Sequence, residues 1–234
     1  ERITDIDKKI QRVVAEGMNG FRNITGCIFS NELIDNFPVH RVTKINGAIQ
    51  EIFTGFDGKD FIDVVGNPSN SEILRRLKPF ARNLENHFKG EVNLRIDQWS
   101  QNVEKALTKG FILTIDYGEV REIIYSPRFA NGTITCFRKH FVNNDPYSFI
   151  GEQDITSHVD FTFLQSSGEK YGLKTIGYLS QMEFLANLGF NKVLEQLGSV
   201  EGLSEAQVQL RYTAMSSLID PTQMGNFKVL IQGK

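Results

Sequence analysis

The chain has 234 residues, of which 40% are hydrophobic and 23% charged, with a formal net charge of -2. That length and apolar share suffice for a sizeable core in one domain, and the small net charge speaks against broad nucleic-acid binding, which leaves a basic footprint. No apolar run approaches the ~20 residues that span a bilayer, and the charged start, ERITDIDKKIQ, has no signal-peptide core.

Ile3, Ile6, Ile10, Val13 and Val14 recur at spacings of three and four, which predicts a helix over 1–16 stopped by Gly17 and Gly20. A short apolar strand follows over 25–29 and runs into the polar knot Ser30-Asn31-Glu32, with Asp35 close behind. From 39 to 65 the period turns to two. Three strands, 39–44, 49–54 and 61–65, are divided by Asn46-Gly47 and Asp57-Gly58, both strong hairpin signals because they accept positive φ. This segment is an expected antiparallel meander. Ile73, Leu74, Leu77, Phe80, Ala81, Leu84 and Phe88 then predict an amphipathic helix reaching Gly90, and 92–96 a short strand or extended link. Asp97 is the expected cap of a helix carrying Trp99, Val103, Ala106 and Leu107, with Gly110 as its stop.

A second apolar strand, 111–115, ends in Asp116-Tyr117-Gly118. Another is expected over 133–137, leading to the basic end Arg138, Lys139 and His140, and then a polar loop over 143–156. Ser157 is expected to open a helix through Tyr171, and 175–178 returns as a strand. Ser180 with Glu183, and Ser204 with Gln207, are capping boxes before two further helices, and 227–231 closes the chain as a strand. The alternation predicts an α/β sheet with helices on both faces. Cys27 and Cys136 each sit inside an apolar run, where they are expected as buried, reduced thiols of an intracellular chain.

Ligands of open α/β sheets bind just past the carboxyl ends of parallel strands. If the strands ending at Phe29 and Ile115 are neighbours, Asn31, Glu32, Asp116 and Tyr117 share one crevice. A carboxylate such as Glu32 can hold and align a guanidinium, and the Asn31 side-chain oxygen can accept a hydrogen bond from a nucleophile. Asp35, three residues past Glu32, lies on the same face of a helical turn. The competing structural roles are a helix cap for Asn31 and Glu32, and turn satisfaction for Asp116 and Asp35. His158 and Asp160 form a His-x-Asp pair. Two positions apart on a helix they do not face each other, so no metal site is predicted, and either alone can reach the crevice from the helix N-terminus. Nucleophile-elbow, P-loop and HExxH patterns are absent.

The stretch SNELIDNFPVHRV, with EVNLRIDQW, GFILTIDYGE, GTITCFRKH, DITSHVDFTFL and the closing MGNFKVL, resembles the MidA family (also DUF185) of S-adenosylmethionine-dependent methyltransferases. The resemblance implies the C-terminal portion of a Rossmann-like class I methyltransferase sheet, with an antiparallel strand near its edge. It makes 1–234 a single, N-terminally truncated domain with 39–95 as a meander-plus-helix insertion. It implies S-adenosylmethionine as cofactor and a protein substrate, by analogy an arginine on a respiratory complex I subunit. Asn31, Glu32 and Asp116 are then the expected catalytic residues, and Asp35, Tyr117, His158 and Asp160 the expected substrate-binding ones. The setting is bacterial cytoplasm or, in a eukaryote, the mitochondrial matrix. The family's glycine-rich cofactor loop belongs ahead of Gly26, and residues 1–25 contain none. No cofactor-binding residue is therefore assigned, this chain alone is expected to be inactive, and a non-catalytic protein-binding or assembly module is the alternative. Half of a parallel sheet leaves an open strand edge, which predicts self-association or a further N-terminal segment that covers the edge.

Overall fold

The computed structural model describes residues 17–139, 141–197, 202 and 204–234; the helix expected over 1–16, and His140, lie outside the described residues. The chain order begins β1 (Ile24–Asn31), β2 (His40–Ile45), β3 (Ala48–Phe56), β4 (Phe61–Gly66), α1 (Ser71–Leu77) and β5 (Lys89–Val92). It continues through α2 (Arg95–Ala106), β6 (Leu107–Asp116), β7 (Gly118–Glu119), α3 (Arg121–Ile124), β8 (Thr135–Arg138), β9 (Phe141–Asn143), β10 (Asp154–Thr156) and β11 (Val159–Asp160). It closes with α4 (Phe161–Lys170), β12 (Lys174–Ser180), α5 (Gln181–Asn187), α6 (Phe190–Gln196), α7 (Glu205–Ser216) and β13 (Lys228–Gly233).

The central sheet has the order β1-β6-β13-β12. β1 and β6 run parallel, with Ile28 opposite Ile112 and Asn31 opposite Ile115. β13 runs antiparallel to both β6 and β12. The two first strands approach closely at Gly110, where an added Cβ would lie 1.9 Å from the Gly26 carbonyl oxygen; only glycine fits there, and its φ of 134° suits no other residue.

Alternation along β1 separates the two faces of this sheet. Ile28 points inward to a core with Val103 and Ala106 of α2, Leu107, Ile112 and Leu173. Ile34, Ile96, Phe161, Leu164 and Leu230 form a second core against α2 and α4. On the other face Phe29, Phe111 and Ile176 are exposed. Cys27 shares that face and is exposed, contrary to the expected buried thiol, whereas Cys136 is buried.

The meander is present and gains a fourth strand, giving the order β4-β3-β2-β5. β5 supplies it, at 89–92, ahead of the strand expected over 92–96. Its core joins Val42 and Val92 to Ile73, Leu77, Leu84, Phe88, Ile124 and Tyr125. The amphipathic stretch from 73 to 88 is not one helix. α1 stops at Leu77, because Pro79 has no N–H to continue the ladder and constrains the residue before it. Leu84 and Phe88 reach the same core from the turns that follow.

Other boundaries shift for local reasons. Asp97 lies inside the first turn of α2 and instead accepts hydrogen bonds from Ser167, Lys170 and Tyr171, tying α2 to the end of α4. The helix expected from Ser157 begins at Phe161, capped by Asp160, because Val159 and Asp160 pair in parallel with Gly118 and Glu119. The polar stretch 143–156 contains β10, which pairs with β8; β8 also pairs with β9. Both predicted capping boxes form, at Ser180 with Glu183 and Ser204 with Gln207.

Candidate functional site

The crevice lies where β1 and β6 end together. The Glu32 N–H donates to the Ile115 carbonyl at 3.0 Å, so the last rung of the parallel ladder sets Glu32 at the strand end. Glu32 has φ 45°, in the left-handed region that a non-glycine residue adopts at a cost of about 1–3 kcal/mol. Such a position persists where the surroundings over-determine it. No helix follows; residues 33–37 make a turn closed by the Phe37 N–H on the Ile34 carbonyl.

Asp116 is what holds that turn. Its Oδ2 accepts from the backbone N–H of Leu33, Ile34 and Asp35 at 3.2, 3.0 and 3.4 Å, and its Oδ1 from the N–H of Tyr117 at 3.0 Å. It is wholly buried. Burial, then the nearby Asp35 carboxylate, push its pKa up to about 7 against the pull of those N–H groups.

Asp35 is buried as well. Its carboxylate accepts from the Tyr117 hydroxyl and, at 2.7 Å, from Asn36 Nδ2. Its carbonyl accepts the Ser157 N–H at 3.0 Å, which binds the turn to the segment after β10. Burial, followed by the bond to Asp35, raises the Tyr117 hydroxyl pKa, so the phenol stays a donor. The Tyr117 ring lies 5.5 Å from that of Phe227 and 5.9 Å, edge-on, from His158.

These groups surround a cavity of about 540 Å³ lined by Glu32, Asp35, Asn36, Tyr117, Thr135, Phe137, Asp154, Thr156, His158 and Phe227. Three carboxylates, the rings of Tyr117, Phe137 and Phe227 and the His158 imidazole line it, with no lysine or arginine among the described residues. A cavity of this size with apolar walls and a few convergent polar groups suits a side chain or small ligand, and its charge suits a cation.

The structure brings Glu32, Asp35, Tyr117 and His158 to this cavity and leaves Asn31, Asp116 and Asp160 off its lining. Asn31 is exposed and its Nδ2 donates to Glu32 Oε1 at 3.1 Å, steering that carboxylate from outside. Asp116 sits beneath the floor. Asp160 turns away to accept the Phe163 N–H at 2.8 Å and to pair with Arg121 Nε at 3.1 Å, and burial raises its pKa. His158 keeps its backbone N–H on Thr133 Oγ1. Burial, above all, lowers its pKa and keeps the ring neutral, and its buried Nδ1 has no hydrogen-bond partner among the described residues. Sequence reasoning missed Thr135, Phe137, Asp154 and Thr156. Their signal is the matching alternation of Thr-x-Phe and Asp-x-Thr, which converges only once β8 pairs with β10. Phe227 stood in the quoted MGNFKVL block without a role.

The family model described as "Putative S-adenosyl-L-methionine-dependent methyltransferase" matches residues 4–179. The chain belongs to this MidA-type family. It is 27% identical over 213 residues to the mitochondrial protein arginine methyltransferase NDUFAF7 homolog of Drosophila melanogaster, covering 87% of this chain and 46% of that protein. It is 27% identical over 199 residues to mitochondrial NDUFAF7 of Xenopus laevis, covering 84% and 43%. The chain thus spans about half the length of these curated relatives. A COG1565 superfamily protein from Burkholderia thailandensis, solved bound to S-adenosyl-homocysteine, superposes with a TM-score of 0.81 at 27% identity, covering 91% of this chain and 54% of that one. The mixed α/β architecture accords with these methyltransferase neighbours. Among the described residues no glycine-rich turn follows a strand. No described helix is long and apolar enough to cross a membrane.

Proposed function

We propose that this chain carries the acceptor side of an S-adenosylmethionine-dependent protein methyltransferase, and that the acceptor is a cationic side chain, arginine. The observation that carries the reading is the cavity at the ends of β1 and β6, with its carboxylates, its aromatic walls and, among the described residues, no lysine or arginine in its lining. A guanidinium there gains charge-assisted hydrogen bonds from Glu32 and stacking from Tyr117 and Phe227. Asn31 and the strained Glu32 backbone aim the carboxylate, Asp35 orients the Tyr117 ring, and His158 adds a neutral edge. Asp116 is a positioning residue beneath them, and Asp160 fixes the start of α4.

The order β1-β6-β13-β12, with β13 antiparallel, supports reading the central sheet as the C-terminal portion of a class I methyltransferase sheet and 39–95 as an insertion in it. The relatives named as mitochondrial arginine methyltransferases favour a protein acceptor. Among the described residues no strand pairs with the outer edge of β1, and Phe29 and Phe111 are exposed beside it, so another chain segment, or a second copy, can add there. A non-catalytic binding or assembly role is the second reading. It is favoured by the lack of a glycine-rich turn after any described strand.

The test is methyl transfer by the full-length protein from isotope-labelled S-adenosylmethionine to arginine, lysine and citrulline peptides, with the product mapped by mass spectrometry. Transfer to arginine, cut about a hundredfold by Glu32→Gln while cofactor binding stays within about twofold, is expected. Cofactor binding without any transfer supports the module instead, and transfer to lysine alone contradicts the arginine assignment.

A further inference from the structure

The pairing register of the small sheet shows where an acceptor's neighbouring residues go. Residues directly opposite one another on adjacent strands share a face. Thr135 stands opposite Thr156, and Phe137 opposite both Asp154 and Val142. Thr135, Phe137, Asp154 and Thr156 all line the cavity. Val142 therefore lies on the same face, one strand beyond Phe137, and extends the cavity wall outward. Phe137 is 40% exposed and Val142 63% exposed. β9 is an edge strand, and no described strand covers its outer side.

We propose that Phe137 and Val142 form an apolar shelf that selects acceptors carrying an apolar residue two positions from the basic one. The proposal rests on the acceptor reading of the cavity. The occupant is fixed by charge and by spacing. Glu32 and Asp154 take the cation, and the surface leading away from them through Phe137 and Val142 is apolar. Adjacent strands lie about 4.8 Å apart, so Phe137 is about 5 Å and Val142 about 10 Å from the Asp154 strand. In an extended segment the residue two positions on points to the same side, about 6.8 Å away. It lands between Phe137 and Val142. The residues immediately beside the basic one point to the other side and leave the shelf untouched.

Fluorescence anisotropy on the full-length protein tests this with labelled, end-blocked pentapeptides that have arginine at the centre. Serine replaces isoleucine at both outer positions in one peptide and at both inner positions in another; a fourth carries citrulline at the centre. The outer replacement is expected to weaken binding about tenfold, the size expected for losing an apolar side chain from a half-open surface. The inner replacement should cost less than about twofold, because those side chains face away. Val142→Asp should abolish the preference for isoleucine at the outer positions, leave the arginine-over-citrulline preference intact and melt like the wild type. Equal losses from inner and outer replacement, or no loss from either, overturn the shelf while the arginine preference stands. Equal binding of arginine and citrulline overturns the cationic acceptor itself, and no binding by any peptide overturns both. The peptide series needs no variant, so misfolding of Val142→Asp does not blunt it.

Discussion

At the floor of the crevice one carboxylate, Asp116, gathers four backbone N–H groups from Leu33, Ile34, Asp35 and Tyr117. At its rim Phe137 and Val142 are placed by strand register, Phe137 partly and Val142 mostly exposed. The floor is fixed by main-chain hydrogen bonds that have no substitute once the carboxylate goes. The rim is a surface whose chemistry can change without disturbing the backbone beneath it. Floor substitutions should therefore act through stability and geometry, and rim substitutions through binding alone.

Asp116→Ala should break this division most severely. It strands several buried N–H groups at once, and a loss of about 3 kcal/mol or more in urea unfolding is expected. A loss no larger than that of a surface substitution would mean that the turn holds itself. Tyr117→Phe comes next. It removes a donor from the buried Asp35 carboxylate and leaves Asn36 Nδ2 as its side-chain partner, which should cost about 1–3 kcal/mol by the same measurement.

The titration of Asp116 sharpens the contrast further. Its folded pKa of about 7 exceeds the unfolded value near 3.9. The folded state therefore binds the extra proton, so the stability due to this group is complete below about pH 4 and is lost as the pH rises to about 7. Unfolding midpoints of the wild type should fall across that window relative to Asp116→Asn, which does not titrate. The smallest effect is expected at the rim. Val142→Ser should leave stability within about 0.5 kcal/mol, as an exposed substitution does.

The same contrast governs what the sequence could disclose. The floor was legible because its signal is local: two apolar runs, each ending in acidic and polar residues, are what parallel strands leave at their carboxyl ends. Glu32, Asp35 and Tyr117 reach the crevice on that logic. The positive φ of Glu32 was not legible, since it comes from pinning by Asp116, 84 residues away in sequence and adjacent only through the β1–β6 ladder. Asp154 and Thr156 hid in a polar stretch whose strand is three residues long and exists through its pairing with β8. Hydrophobic period overran the true end of α1 because the apolar residues beyond Pro79 do enter the core, though from turns. Asp160, read with His158 as one motif, parts from it because its carboxylate caps α4 through the Phe163 N–H and pairs with Arg121.

The most direct test of the central claim is a crystal structure of the full-length protein with a blocked arginine peptide bound. The guanidinium is expected within about 3.5 Å of the Glu32 carboxylate, against the Tyr117 and Phe227 rings. A guanidinium seated elsewhere, with the cavity at the ends of β1 and β6 filled by water, would contradict it.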